Sequence, residues 1–270
     1  LRDSEQEISV WSVYLTWREY GPYKAQKGDA TTMEQILKGE YDAGSYNSRV
    51  HNIKELLANA EFQKQISNAD ATPVIVAGDF NAPSDLDWVN ATKHKHHGWA
   101  VEWPATKLMR TEGGMRDSFR EVHPDPLKVP GYTWGIYERE SSIIELKARI
   151  DFIFYRGPLR PIRSFPFSGT TPVLYPKKHS PKDAVVKVNE WPSDHYAFVT
   201  EFEPRSDEIS SMATATTETT TMTTSTVNIT TTNPSSTTAV GRTVTNAPGS
   251  NRGLSLTIGV LVLLLIRRFG

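Results

Sequence analysis

Asp79 and Asn81 stand two residues apart at the end of Pro73-Val-Ile-Val-Ala-Gly-Asp79-Phe-Asn81. A second aspartate, Asp151, lies inside Ala148-Arg149-Ile150-Asp151-Phe152-Ile153-Phe154-Tyr155, and an acid and an imidazole adjoin in Ser193-Asp194-His195. Carboxylates, an amide and an imidazole suit a metal-assisted attack of water on a phosphate. Hard cations take carboxylate oxygens as ligands, and an imidazole titrates near neutral pH. Each segment also has a plainer use. Asp79 with Asn81 fits an Asx turn, Asp151 an edge position, and Ser193-Asp194 a turn or cap with His195 packed on Trp191.

The elements that must position these groups are strands. Val74 to Ala77 reads as a buried core strand, Gly78 as the residue permitting a tight exit, and Asp79 and Asn81 as side chains at the C-terminal edge, where sites are built. Alternation puts Ile150, Phe152 and Phe154 on one face and Asp151, Ile153 and Tyr155 on the other, and a charge held there needs a partner. Further strands are predicted from Ile8, carrying Tyr14, and from Ala197 after the Ser-Asp-His run. From Arg49, the apolar Val50, Ile53, Leu56, Leu57 and Ala60 recur at helical spacing and predict a stripe packed on the sheet. Lys93-His94-Lys95-His96-His97 reads as a solvated helix end, and Pro176-Lys177-Lys178-His179 as a surface loop.

Taken in order, Gly-Asp79-Phe-Asn81, Arg-Ile-Asp151-Phe-Ile-Phe and Ser-Asp194-His195 resemble the endonuclease/exonuclease/phosphatase family of metal-dependent phosphoesterases. Asp117-Ser-Phe-Arg120 and Gly131-Tyr-Thr-Trp134 resemble its intervening segments, and the likeness covers roughly residues 8 to 203. It implies a four-layered α/β sandwich of two mixed sheets with helices outside. It further implies that Asp79 deprotonates the attacking water, that Asn81 holds a phosphate oxygen, and that Asp151 and His195 form an acid–imidazole pair. Asp194, with Asp79, is implied as a ligand of a divalent cation, most simply Mg²⁺. Tyr14 stands where the family commonly has a His, so it is expected either to contact phosphate or to pack as an aromatic strand end.

The chain opens on Leu1 and its first methionine is Met33. The expectation is therefore of a C-terminal portion, lacking the upstream Glu and Asn that the resemblance implies, with an incomplete metal site, little activity, and the strands at Val74–Ala77 and Ile150–Phe154 partly uncovered.

Composition bounds the rest. Of the chain's 30 basic and 31 acidic residues, the tail from Ser206 holds four and three, leaving 26 and 28 in the preceding domain, a balance without a duplex-binding signature. No cysteine is present, which excludes disulfides and thiolate metal sites in this chain. Three regions are expected: a domain over 1–205, a Ser/Thr-rich mucin-like stalk over 206–252, and a hydrophobic segment over 253–270. Asn90-Ala-Thr92 and Asn228-Ile-Thr230 are glycosylation acceptor patterns. Leu254 to Ile266 is short for a spanning helix, which needs about 20 apolar residues. Small residues near Asn246 to Ser250 resemble a lipid-anchor signal, whereas Arg267-Arg268 suits a single-pass segment with a cytoplasmic stop. Both place the domain at the cell surface, facing outward. The function expected is an extracellular phosphodiesterase or nuclease taking a nucleic-acid, lipid or small-molecule ester. The alternative is a non-catalytic binding module on a glycosylated stalk.

Overall fold

The computed structural model describes residues 7–44, 46–135, 146–167, 193, 195–205 and 256–260. In chain order the elements are β1 (Ser9–Tyr14), α1 (Gly21–Gln26), α2 (Met33–Tyr41), α3 (Arg49–Ala58), α4 (Ala60–Ser67), β2 (Val74–Asp79), α5 (Pro104–Thr111) and β3 (Arg116–Asp117). They continue with α6 (Ser118–Val122), β4 (Asp151–Arg156), β5 (Leu159–Phe167), β6 (Ala197–Pro204) and β7 (Leu256–Val260).

Two sheets result. The first has the order β1-β2-β4-β3, with β1 parallel to β2 and β4 antiparallel to both β2 and β3. The second has the order β5-β6-β7 and is antiparallel among the described strands. Side-chain alternation divides the core. Val74, Val76, Phe80, Phe152 and Phe154 face Ile53, Phe62, Ile66 and Met109 of the helices, whereas Ile75, Ala77, Ile153 and Tyr155 face Phe198 and Phe202 of the second sheet. Covered on both faces, β2 can be apolar along its length instead of alternating. The expected uncovering of Val74–Ala77 and Ile150–Phe154 is therefore absent. Exposure falls instead on β1, at Val10 and Tyr14.

Gly78 does not make the exit from β2. It lies within the strand at φ 152°, and a Cβ there would sit 1.9 Å from the carbonyl oxygen of Val13, so its bareness lets β1 approach. The exit belongs to Asn81, at φ 48°. The helical stripe also ends earlier than its spacing suggests. Val50 and Ile53 are buried, but Asn59 accepts from the backbone of Glu61 and Phe62, opening α4 and leaving Ala60 exposed.

The basic run at Lys93 to His97 is only partly solvated. His96 is buried and stacked on Trp88, ring centroids 3.9 Å apart and planes 8° from parallel, and its Nδ1 has no hydrogen-bond partner among the described residues. Burial, aided by Lys95 and His94, pulls its pKa down to about 4 against the opposing charge of Asp87. The unfolded chain, with His near 6.5, then binds more protons between about pH 6.5 and 4, so stability falls as pH drops through that window. A His96→Phe variant should escape this loss, gaining about 3 kcal/mol on the parent between pH 7 and pH 4. Urea melts of both proteins across that range check this; a pH-independent difference between them would refute it.

In the terminal run expected to serve as an anchor, only Leu256–Val260 are described, laid as a strand against β6. Among the described residues no helix is long and apolar enough to cross a membrane. The Ser/Thr-rich segment, Asn228, Pro176 to His179 and Arg267-Arg268 lie outside the described residues.

Candidate active site

Register brings the expected residues into one row. Tyr14 on β1 pairs with Asp79 on β2, and Asp79 with Asp151 on β4, so three strand ends meet at one edge of the sheet. His195 enters from the turn before β6, its Nδ1 2.9 Å from Asp151 Oδ2. One ligand atom each from Asp79, Asp151 and His195 lies within 4.8 Å of the others, and all three side chains are buried. Asp194, expected as a metal carboxylate, lies outside the described residues.

The supports of this cluster are specific. Asn81 gives its backbone N–H to Asp79 Oδ1 at 2.8 Å and its Nδ2 to Asp79 Oδ2 at 2.9 Å and to the Leu15 carbonyl at 3.0 Å. Its amide thus serves the neighbouring carboxylate, where a phosphate contact was expected. Arg49 does more than open a helix. Fully buried and paired with Glu40, its guanidinium donates to the carbonyls of Asn81 at 2.6 Å and Arg18 at 2.9 Å. On the other side, Thr133 Oγ1 accepts from the backbone N–H groups of Ile150 and Asp151, and the Thr133 carbonyl accepts from Tyr196. One residue of the Gly-Tyr-Thr-Trp segment therefore sets both halves of the Asp151–His195 pair. Ser193 Oγ accepts from the His195 N–H at 3.0 Å.

A wider buried network holds the start of β4. Arg149 is bonded to Asp87 through Nε at 2.9 Å and to Asp117 through Nη2 at 2.8 Å, while Arg120 Nε reaches Asp87 at 2.6 Å. Asp117 also caps α6. The sequence marks Asp117 to Arg120 and, within Gly131 to Trp134, Thr133 without giving either a role; it gives no sign of Asp87 and no signal for pairings 32 to 62 residues apart.

The electrostatics call for a positive charge. Burial, and then the charge of Asp151, push the Asp79 carboxyl well above the usual carboxylate range, against the opposing influence of His195, the Asn81 N–H and Arg49. Among the described residues, the buried Asp151 Oδ1 has no hydrogen-bond partner. Two desolvated carboxylates side by side, one with an orphaned oxygen, fit a hard divalent cation, which would supply both the charge and the missing partner.

Tyr14 is 54% exposed beside Asp79. Asn90 is exposed as an acceptor must be, but the Thr92 hydroxyl of its pattern is buried and bonded to the Asp87 and Val89 carbonyls, a structural use that accounts for the threonine without glycosylation.

Comparison with known proteins gives the following. The sequence profile described as the Endonuclease/Exonuclease/phosphatase family matches residues 16–195. Uncharacterized protein F14F9.5 of Caenorhabditis elegans is 35% identical over 200 residues, covering 72% of this chain and 60% of the relative, so the chain spans about 60% of that relative's length. Among solved structures, truncated Caenorhabditis elegans TDP2 is similar with a TM-score of 0.33 and 15% identity, over 56% of this chain and 46% of that one.

Proposed function

Because this chain belongs to the endonuclease/exonuclease/phosphatase family, we propose that it is a metal-dependent phosphoesterase acting on a phosphodiester, with Mg²⁺ as its cation. The observation that carries the reading is the buried Asp79–Asp151–His195 cluster with its orphaned Asp151 oxygen. Asp79 and Asp151 would hold the cation, with Asp194 as a further carboxylate; the cation would neutralise charge at the phosphate oxygens. Asp79, oriented on both oxygens by Asn81, accepts the proton of the attacking water. Asp151 fixes the His195 ring through Nδ1, and Nε2 is the nitrogen assigned to the substrate. Tyr14, half exposed at the adjoining strand end, contacts the phosphate. The Ser/Thr-rich tail supports an outward-facing location at the cell surface, with Asn90 and Asn228 as candidate glycosylation sites.

Chelation tests the reading. Hydrolysis of bis(p-nitrophenyl) phosphate by this chain, expected above to be slow, should cease in EDTA and return with Mg²⁺. Because a cation that binds only the folded state stabilises it, Mg²⁺ at a hundred times its dissociation constant should add about 2.7 kcal/mol to the unfolding free energy, and Asp151→Asn should remove that gain. Hydrolysis indifferent to EDTA would defeat the proposal. Neither hydrolysis nor cation-linked stabilisation would favour the non-catalytic binding module.

A further inference from the structure

The loop after β1 carries an exposed group that the catalytic cluster does not use. Trp17 and Tyr46 are each 54% exposed, and the Arg18 guanidinium lies between them, 4.1 Å from the Trp17 ring centroid and 4.7 Å from that of Tyr46. Arg18 Nη2 donates to the Tyr46 hydroxyl at 3.3 Å. The loop is tied directly to the site. Leu15 donates to the Asp79 carbonyl and accepts from Asn81, Thr16 donates to Asn52 of α3, and the single Arg49 guanidinium bonds the carbonyls of both Arg18 and Asn81. The backbone of Arg18 is thus bridged through one guanidinium to the residue that orients Asp79.

We propose that Trp17, Arg18 and Tyr46 form a stacking platform for a nucleobase, so that the phosphodiester handled at Asp79, Asp151 and His195 belongs to a single-stranded nucleic acid. The identification of the scissile group rests on the phosphoesterase reading above; the platform itself does not. Planar aromatic rings and a guanidinium plane are the surfaces on which unstacked bases lie, and such stacking tolerates any base because every base has a π-face. The charge balance, 26 basic against 28 acidic residues before the tail, supplies no overall positive field for a strand, so the proposal rests on local stacking beside the Arg18 cation. A membrane-inserting tip would present an apolar surface; here an exposed, ionised guanidinium lies against both rings.

Binding in EDTA separates recognition from chemistry. A fluorescein-labelled deoxythymidine decamer should bind the full chain, and an abasic decamer of equal charge should bind more weakly. Trp17→Ala or Tyr46→Ala should weaken the thymidine strand about tenfold while leaving the abasic strand unchanged, and Trp17→Phe should retain most of the affinity. Equal binding of the two strands, or equal binding by parent and Trp17→Ala, overturns the platform even if the diester is cleaved. Trp17-dependent binding of phosphatidylcholine vesicles in place of the strand overturns it in favour of a lipid surface. If the strand binds through Trp17 but no diester is cleaved, the platform stands and the phosphoesterase reading fails.

Discussion

Asp151→Asn is expected to lower Mg²⁺-dependent diester hydrolysis by about 10²-fold or more, and His195→Ala to do the same, with the two substitutions combined costing little beyond either alone. The reason is that these side chains act as one unit. Asp151 Oδ2 holds His195 Nδ1 at 2.9 Å, so a carboxamide at 151 can present its N–H to the ring, reverse the tautomer and turn away the nitrogen that substrate requires. Asp151→Asn keeps the shape of a buried side chain, so its circular dichroism and cooperative melting should match the parent's. Asn81→Ala acts one step removed. It frees Asp79 Oδ2 and the Leu15 carbonyl, and should lower kcat with KM little changed. Rates within about threefold of the parent for both Asp151→Asn and His195→Ala would take this pair out of the chemistry, whatever the chelation experiment shows.

The parts of this arrangement visible in the sequence were those written locally. β2 and β4 announce themselves as uninterrupted apolar runs, and Asp79, Asn81, Asp151 and His195 fall at their ends or just before β6, so an ordered set of short motifs was enough to assemble the site. β5 was invisible because Pro161 and Pro166 argue against a central strand; it occupies a sheet edge, where a missing N–H is tolerated, and its register slips between Pro161 and Arg163. The roles of Thr133, Arg49 and Asp87 were illegible for another reason. Each acts through bonds to residues far away in sequence, and neither periodicity nor turn chemistry encodes which carbonyl a guanidinium will meet. Gly78 and His96 show the same limit at single positions: a turn glycine and a solvated histidine are the readings local context favours, and only the approach of Val13 and the stacking on Trp88 reverse them.

The network behind the site makes the strongest stability prediction. Arg149→Ala should destabilise the protein by about 3–5 kcal/mol, a large share of the roughly 5–15 kcal/mol that holds a domain together. Arg149 is fully buried, and its guanidinium lies 5.1 Å from the ring centroid of Phe119 and 4.6 Å from that of Phe152. Its removal leaves Asp117, itself buried, without its guanidinium partner, and leaves Asp87 to Arg120 alone. The cost is that of the stranded carboxylates more than of the lost attraction, so the variants can be ordered. Arg149→Lys keeps a charge but not the paired donors and should recover part of the loss, whereas Arg149→Met combined with Asp117→Asn, which removes the charge on both sides, should be less damaging than Arg149→Ala alone. Because Arg149 precedes Asp151 by two residues, whatever of the alanine variant remains folded should also cleave more slowly, as Asp151 is then held by Thr133 without the anchor behind it. Urea unfolding of the three variants, each scored for ΔG and for diester hydrolysis, decides the matter. An Arg149→Ala protein within about 1 kcal/mol of the parent would mean that water reaches Asp117 and Asp87, and that β4 is positioned by its apolar faces alone.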